Sequence, residues 1–322
     1  MRWKWVVALA CVLGWWELMP PPALPAPNRA ADKACAEGRT GGAWPFFCGA
    51  DMATFREQMQ EVANVEAILD TAELTNVQLG TKHLTIFSAK GDTGANLVIN
   101  EHVKRDAYRL SEIPLGKDDC FLDVGANLGL VVIRVLLGNA PPGCVIAVEA
   151  APVTYVYQQL NLWANVPRAM KEGRVTSIHA AVGERDGGTI PMVYNPKAST
   201  ATAHFRWDSG SPAWRSGSAL RVNVPVVSIN TIIAEATGRV RVLKIDCEGC
   251  EYKVIPALSD SVWGSFDVVT GEVHAQWMGA KRPSREIEEF CLRRLCAHRP
   301  RNRLWHLGIA GAPWCHAVMQ NQ

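Results

Sequence analysis

Four acids, each at the end of an apolar run, carry most of the chemistry this sequence offers. Asp123 follows Cys120-Phe121-Leu122 and Glu149 follows Cys144–Val148. Asp246 follows Val240–Ile245, and Glu272 comes just past Phe266–Val269 with His274 beyond it. If each run is a strand, every one of these groups stands at a carboxyl end, where open α/β sheets bind their ligands. A carboxylate there can accept a hydrogen bond from a ligand's ammonium or hydroxyl, or take up a proton during a reaction. The imidazole of His274 titrates in a useful range for the same work.

The residues after Asp123 narrow the ligand. Asp123-Val124-Gly125-Ala126-Asn127-Leu128-Gly129 separates the apolar Phe121-Leu122 from the apolar Leu130–Leu137. A strand, a glycine-bearing turn and a helix in succession form a nucleotide-type site. Glycine lets backbone approach a ligand closely, and a helix start presents unpaired N–H groups. A dinucleotide fingerprint needs glycine at its first, third and sixth positions. Those positions hold Gly125, Asn127 and Leu130, which argues against a nicotinamide oxidoreductase. The acid at 123 would repel a diphosphate but would accept a hydrogen bond from an ammonium. The pattern suits S-adenosylmethionine, with Asp123, Gly125, Asn127 and Gly129 as its expected contacts. Glu149, about 20 residues further on, stands where such sheets place the carboxylate that binds ribose hydroxyls.

A second acidic turn follows Ile245, reading Asp246-Cys247-Glu248-Gly249-Cys250-Glu251. Methyl transfer needs donor and acceptor aligned, and a hydroxyl acceptor must lose its proton to a base. Asp246, Glu248, Glu251 and His274 are the catalytic candidates. Glu251 also suits a plain capping role at the start of the next helix, and His274 a structural or substrate contact. Clustered carboxylates could hold Mg²⁺, but no further ligand spacing supports one, and no metal is expected. Cys247 and Cys250 make a C-x-x-C. Without a second such pair zinc is not the expectation; the expectation is one thiol facing the core and one the next helix. Cys120 and Cys144 are expected to be buried thiols. Disulfide candidates are Cys35–Cys48 and a pair drawn from Cys291, Cys296 and Cys315.

Taken together, FLDVGANLGL, VIAVEAAP, HAAVGERDG and LKIDCEGCE resemble the FkbM-type methyltransferases, a branch of the class I S-adenosylmethionine-dependent enzymes. The resemblance spans roughly residues 100–273 and is most specific at Lys244–Glu251. It implies a Rossmann-like α/β fold, mostly parallel with an antiparallel C-terminal hairpin and helices on both faces. It also implies an S-adenosylmethionine cofactor, with Ala181 and Val182 near the adenine, and methylation of a hydroxyl on a small molecule or glycan. Nucleobase methylation is a weaker alternative, since the fourth strand lacks an Asn/Asp-Pro-Pro-Tyr/Phe run. A scaffold protein on a degenerate fold is another, although the acids of the site are all present.

The rest of the chain must position these groups. Its 322 residues, 48% hydrophobic and 20% charged, allow one large domain with additions. A net charge of +2 gives no case for a nucleic-acid partner. Residues 1–19, with Arg2 and Lys4 before the apolar Trp5–Met19, read as a signal peptide or signal anchor. A luminal or secreted location follows from either, and membrane attachment from the anchor reading; the lack of any Asn-x-Ser/Thr sequon counts against the luminal assignment. Residues 20–50 read as a Pro-rich linker, 51–115 as N-terminal helix and strand additions, and 116–322 as the methyltransferase domain. Spacing predicts one helix over Ala53–Leu69 and strands at His83–Phe87 and Asn96–Asn100. It predicts a helix over Val153–Trp163, a third core strand over Val175–Val182, and an antiparallel addition at Thr189–Tyr194. Ala198–Ser218 reads as a loop over the site, Arg221–Ile229 as a strand and Ser284–Ala297 as a helix. Leu304–Leu307 with Trp314–Met319 reads as a final hairpin.

Overall fold

Alternation of short apolar runs with helical segments gives the chain its layered order. In the computed structural model, residues 55–294 are described, apart from 58, 61, 93, 195–219, 273–285, 288, 289 and 292. Helix α1 (Val65–Asp70) leads into a hairpin of β1 (Ala72–Leu79) and β2 (Lys82–Ala89). The short helix α2 (Ala95–Ile99) runs directly into a π-helical turn, Asn100–Lys104, and a 3-10 turn follows at Leu110–Glu112. The core then alternates: β3 (Asp119–Val124), α3 (Leu130–Leu136), β4 (Cys144–Glu149), α4 (Pro152–Asn165), α5 (Pro167–Lys171) and β5 (Val175–His179). After β6 (Ala181–Gly183), β7 (Thr189–Tyr194) and β8 (Leu220–Ser228) come α6 (Ile229–Ala234) and β9 (Arg239–Ile245). The chain continues through α7 (Glu251–Ala257), α8 (Asp260–Trp263) and β10 (Val268–Gly271).

Five strands form one parallel sheet in the order β10-β9-β3-β4-β5. The expected fold class therefore holds, a parallel α/β sheet flanked by helices. From β3 the chain steps outward through β4 to β5, then returns to the other side of β3 for β9 and β10. The reversal falls between β3 and β9, where Asp123 pairs in register with Lys244 and Val124 with Ile245. Crevices at such switch points are where open α/β sheets take their ligands. The sheet's interior is apolar: Phe121, Leu122, Val124, Val145, Ala147, Val242 and Leu243 are fully buried. A smaller sheet, β6-β8-β7, continues from β5.

Several expectations shift. Asn96–Asn100 is helical, because the Asp92 carboxylate accepts from the N–H groups of Gly94 and Ala95 and starts a turn there. Leu97-Val98-Ile99 is too short a run to distinguish helix from strand by period. The single helix expected over Ala53–Leu69 is interrupted: Asn64 caps α1 by accepting from Ala67 N–H. The third core strand divides at Ala180 into β5 and β6, which pair with different neighbours. The antiparallel pairs described are β1–β2 and β7–β8. The C-terminal hairpin, the site loop, the Ser284–Ala297 helix as a whole and the N-terminal signal and linker lie outside the described residues. Among the described residues no helix is long and apolar enough to cross a membrane.

Candidate functional site

The turn after β3 owes its path to one close approach. Gly125 has φ +78, and a Cβ there would lie 1.8 Å from the Asp246 carbonyl oxygen. Only glycine lets this turn pass beside the end of β9. The turn is fixed from the other side by β4. The N–H groups of Gly125 and Ala126 both donate to Val148 O at 2.9 Å. Asn127 N–H donates to Glu149 Oε2 at 2.8 Å, and Ala151 N–H to Glu149 Oε1 at 2.8 Å. Glu149 is thus nearly buried, 4% exposed, with one backbone donor on each oxygen. Each oxygen keeps a second lone pair, so acceptor capacity for a diol remains. Burial raises its pKa, and the two backbone bonds work against that rise.

Beneath the turn sits a buried ion pair. Lys244 Nζ lies 3.0 Å from Asp123 Oδ1 and donates to Gly125 O at 2.6 Å. Asp246 Oδ2 is 3.8 Å away. Burial works to lower the lysine's pKa, but the charges of Asp123, Asp246 and Glu149 outweigh it and hold the ammonium charged. Asp123, expected to meet the cofactor's ammonium, instead meets this one and is fully buried. Its Oδ2 is buried without a hydrogen-bond partner.

Asp246 differs from the other two acids in being 21% exposed. Its N–H donates to Val124 O at 3.0 Å, which ties the second turn to the first. Its Oδ2 accepts from the Tyr108 hydroxyl at 2.6 Å. Glu251, by contrast, is fully buried. Its oxygens accept from Cys247 N–H at 3.0 Å and Gly249 N–H at 2.7 Å, so it holds the turn's shape. The geometry thus favours its capping role over contact with an acceptor. Glu248 sits in the same turn with a left-handed backbone, φ 56. His274 lies outside the described residues, while Glu272 N–H donates to Ile245 O at 2.9 Å. Ala181 and Val182 are buried in β6; just before it in sequence, His179 Nε2 lies 3.1 Å from Ala150 O.

The cysteines depart from expectation. Cys247 and Cys250 are joined by a disulfide across the acidic turn, Cα–Cα 5.4 Å. Cys120 and Cys144 are likewise joined rather than free, because the register of β3 and β4 puts them directly opposite at 4.6 Å. Among the described residues Cys291 is free and buried. No group of three or more His, Cys, Asp or Glu among them is arranged as metal ligands.

Two participants escaped sequence reasoning. Lys244 had a signal: a lysine inside an apolar strand must be paired when buried. Tyr108 had none, since its contact to Asp246 crosses 138 positions.

The acidic groups suit a positively charged donor. Three carboxylates, Asp123, Glu149 and Asp246, surround one ammonium. That balance fits a sulfonium compound better than a diphosphate. A parallel sheet with a glycine turn and strand-end acids at its switch point is the architecture of a class I-type methyltransferase. Residues 123–297 match the methyltransferase FkbM domain, and the chain belongs to that family. It is 27% identical over 191 residues to the 31-O-demethyl-FK506 methyltransferase FkbM of Streptomyces tacrolimicus, covering 52% of this chain and 70% of that protein. A crystal structure of methyltransferase FkbM from Methylobacillus flagellatus KT is 14% identical with a TM-score of 0.30. That match covers 65% of this chain and 44% of the other.

Proposed function

We propose that this protein is an S-adenosylmethionine-dependent O-methyltransferase acting on a hydroxyl of a small molecule or glycan. One observation carries the reading: Asp246 is a partly exposed carboxylate at the switch point, hydrogen-bonded by its backbone to the end of β3 and backed by Lys244. The Streptomyces relative's name makes it a methyltransferase of 31-O-demethyl-FK506, which supports oxygen as the acceptor atom.

When bound, S-adenosylmethionine supplies an electrophilic methyl group on sulfur. Glu149 and the Gly125–Gly129 turn would hold its ribose and amino-acid portions, and Ala181 and Val182 would line the adenine. Asp246 would accept the acceptor's hydroxyl proton on a carboxylate oxygen as the new O–C bond forms. Lys244 keeps a positive charge behind that carboxylate, and Glu251 holds the turn that carries it. A luminal location, with attachment through residues 1–19, is part of the same proposal. It is supported by the apolar N-terminal run and by two disulfides, which persist in oxidising compartments.

Calorimetric titration of the full chain tests the cofactor class. S-adenosylhomocysteine should bind in the micromolar range and NAD should not; the reverse order would refute the proposal. With an acceptor found by screening, Asp246→Asn should keep donor affinity and lose roughly 100-fold or more in turnover, the scale of a general base. Loss of donor binding in that variant would place Asp246 on the donor side instead.

A further inference from the structure

Among the described residues, four residues other than glycine have positive φ: Asp106, Arg109, Asn127 and Glu248. Asn127 lies in the glycine turn and Glu248 in the acidic turn. The other two bracket Tyr108. Backbone held in this sparsely populated region persists only where its surroundings fix it, and such residues gather at functional sites. All four thus lie in the three segments that meet at Asp246.

The Tyr108 segment is fixed from several directions. The Asp106 carboxylate accepts from Leu110 N–H at 2.8 Å, Ser111 N–H at 3.0 Å and the Ser111 hydroxyl at 2.6 Å. Arg134, on the helix that leaves the glycine turn, pairs with Asp106 at 2.9 Å and donates to Val103 O at 2.7 Å. The π-helical turn Asn100–Lys104 places the His102 ring flat against Tyr108, 5.1 Å between centroids and 15° between planes. Single π turns recur at functional sites. Tyr108 itself is 2% exposed, yet its hydroxyl reaches the partly exposed Asp246 carboxylate at 2.6 Å. Lys244 lies 5.6 Å from the centre of its ring.

We propose that Tyr108 is the positioning residue for Asp246: its hydroxyl, aimed by the Asp106–Arg109 turn and the His102 ring, fixes the carboxylate in one orientation with respect to the methyl acceptor. This rests on the methyltransferase reading for its purpose, although the contact itself does not. Tyr108 lies upstream of the residues that match the family domain, 123–297, so a segment outside the matched domain completes the site. Burial and the neighbouring charges of Asp246 and Glu272 push the Tyr108 hydroxyl well above its ordinary pKa. It therefore stays a proton donor across the working range.

The test is a carbon-13 NMR titration of the full chain labelled at aspartate carboxyl and tyrosine ζ carbons. The Asp246 signal is assigned by its disappearance in Asp246→Asn. Lys244, Asp123, His102, Glu272 and Glu248 also face or flank this carboxylate, and they are unchanged in Tyr108→Phe. Losing one donated hydrogen bond to the charged form must move the Asp246 midpoint to higher pH. An unchanged midpoint in the folded variant would overturn the proposal. Should Tyr108→Phe fail to fold, the wild-type chain still decides. The Tyr108 ζ carbon must then show an inflection at the Asp246 midpoint, and a flat Tyr108 trace would refute the contact. Neither readout needs donor or acceptor, so failure here is distinct from failure of the proposed activity, which the calorimetric titration reports.

Discussion

Lys244 Nζ stands 3.0 Å from Asp123 Oδ1, with the two side chains 2% and 0% exposed. The pair joins β3 to β9 at the point where the sheet reverses direction. Removing one partner of a buried pair leaves the other charged and unpaired, at a cost of about 3–5 kcal/mol. Lys244→Met and Asp123→Asn should each lose that much stability in urea unfolding, or roughly 10 °C in Tm. The double variant should recover part of the loss, because two neutral groups then face each other. Additive losses in the double variant would show that the pair does not act as a unit.

How much of this was legible from the residues alone depends on distance along the chain. The glycine turn, the strand-end acids and the order of core elements follow from local patterns. Phe121–Gly129 reads as strand and turn because its period and glycines are contiguous. The roles within the site were less legible. Asp123 looked like a ligand contact because nothing local reveals that Lys244 reaches it from the neighbouring strand. The role of Glu251 is set by its two bonds to the turn, which sequence spacing alone does not reveal. Cys120 and Cys144 lie 24 positions apart, and only the β3–β4 register makes them neighbours. The helix at Asn96–Asn100 is not legible in its apolar run because the deciding contact is the Asp92 side chain, outside that run.

The fold should be sensitive to acid through His102. Burial first, and then the charge of Lys244 and to a lesser extent Arg134, lower its pKa from 6.5 to about 4, against the pull of Asp246 and Asp106. Its Nδ1 is shut off from solvent without a partner. A group whose folded pKa is depressed contributes stability that is present above its unfolded value and is lost as pH falls. The window here runs from pH 6.5 down to about 4. The slope approaches about 1.4 kcal/mol per pH unit, up to about 3 kcal/mol in all. The buried carboxyls Asp123 and Glu149 have raised values and act with the opposite sign. The informative quantity is therefore the difference between wild type and His102→Gln. Parallel stability–pH curves for the two proteins would show that His102 is not the source.

Two glycines separate space from conformation. Gly187, at φ +89, has nothing within 4 Å of a Cβ, whereas Gly125 at φ +78 faces the Asp246 carbonyl. Gly187→Ala should cost about 1–2 kcal/mol, the price of a left-handed backbone alone. Gly125→Ala adds a clash with backbone that cannot rotate away. It should cost more than about 3 kcal/mol and abolish binding of S-adenosylhomocysteine by calorimetry. Equal costs for the two would mean that the turn after β3 can move away from β9.

The N-terminal hairpin is tied to the donor turn by one amide. Asn161, on α4, is fully buried and accepts from Phe87 N–H at 2.6 Å through Oδ1. Its Nδ2 donates to Phe87 O at 3.1 Å and to Leu128 O at 2.9 Å, so one side chain reads both the edge of β2 and the glycine turn. One helical turn later Asn165 repeats the pattern on Thr85, accepting its N–H at 2.9 Å and donating to its carbonyl at 2.8 Å. An i, i+4 pair of asparagines on one helix face thus substitutes for a neighbouring strand. Asn161→Ala removes three hydrogen bonds to backbone groups, each worth about 1 kcal/mol or more, and should cost roughly 3–4 kcal/mol. Asn165→Ala, at a part-buried site, should cost roughly half as much. Hydrogen exchange gives the sharper readout: Phe87 N–H should lose protection in Asn161→Ala, and Thr85 N–H in Asn165→Ala. If Phe87 stays protected without Asn161, the hairpin is held by apolar packing alone, with Ile86 and Phe87 fully buried on opposite faces of β2.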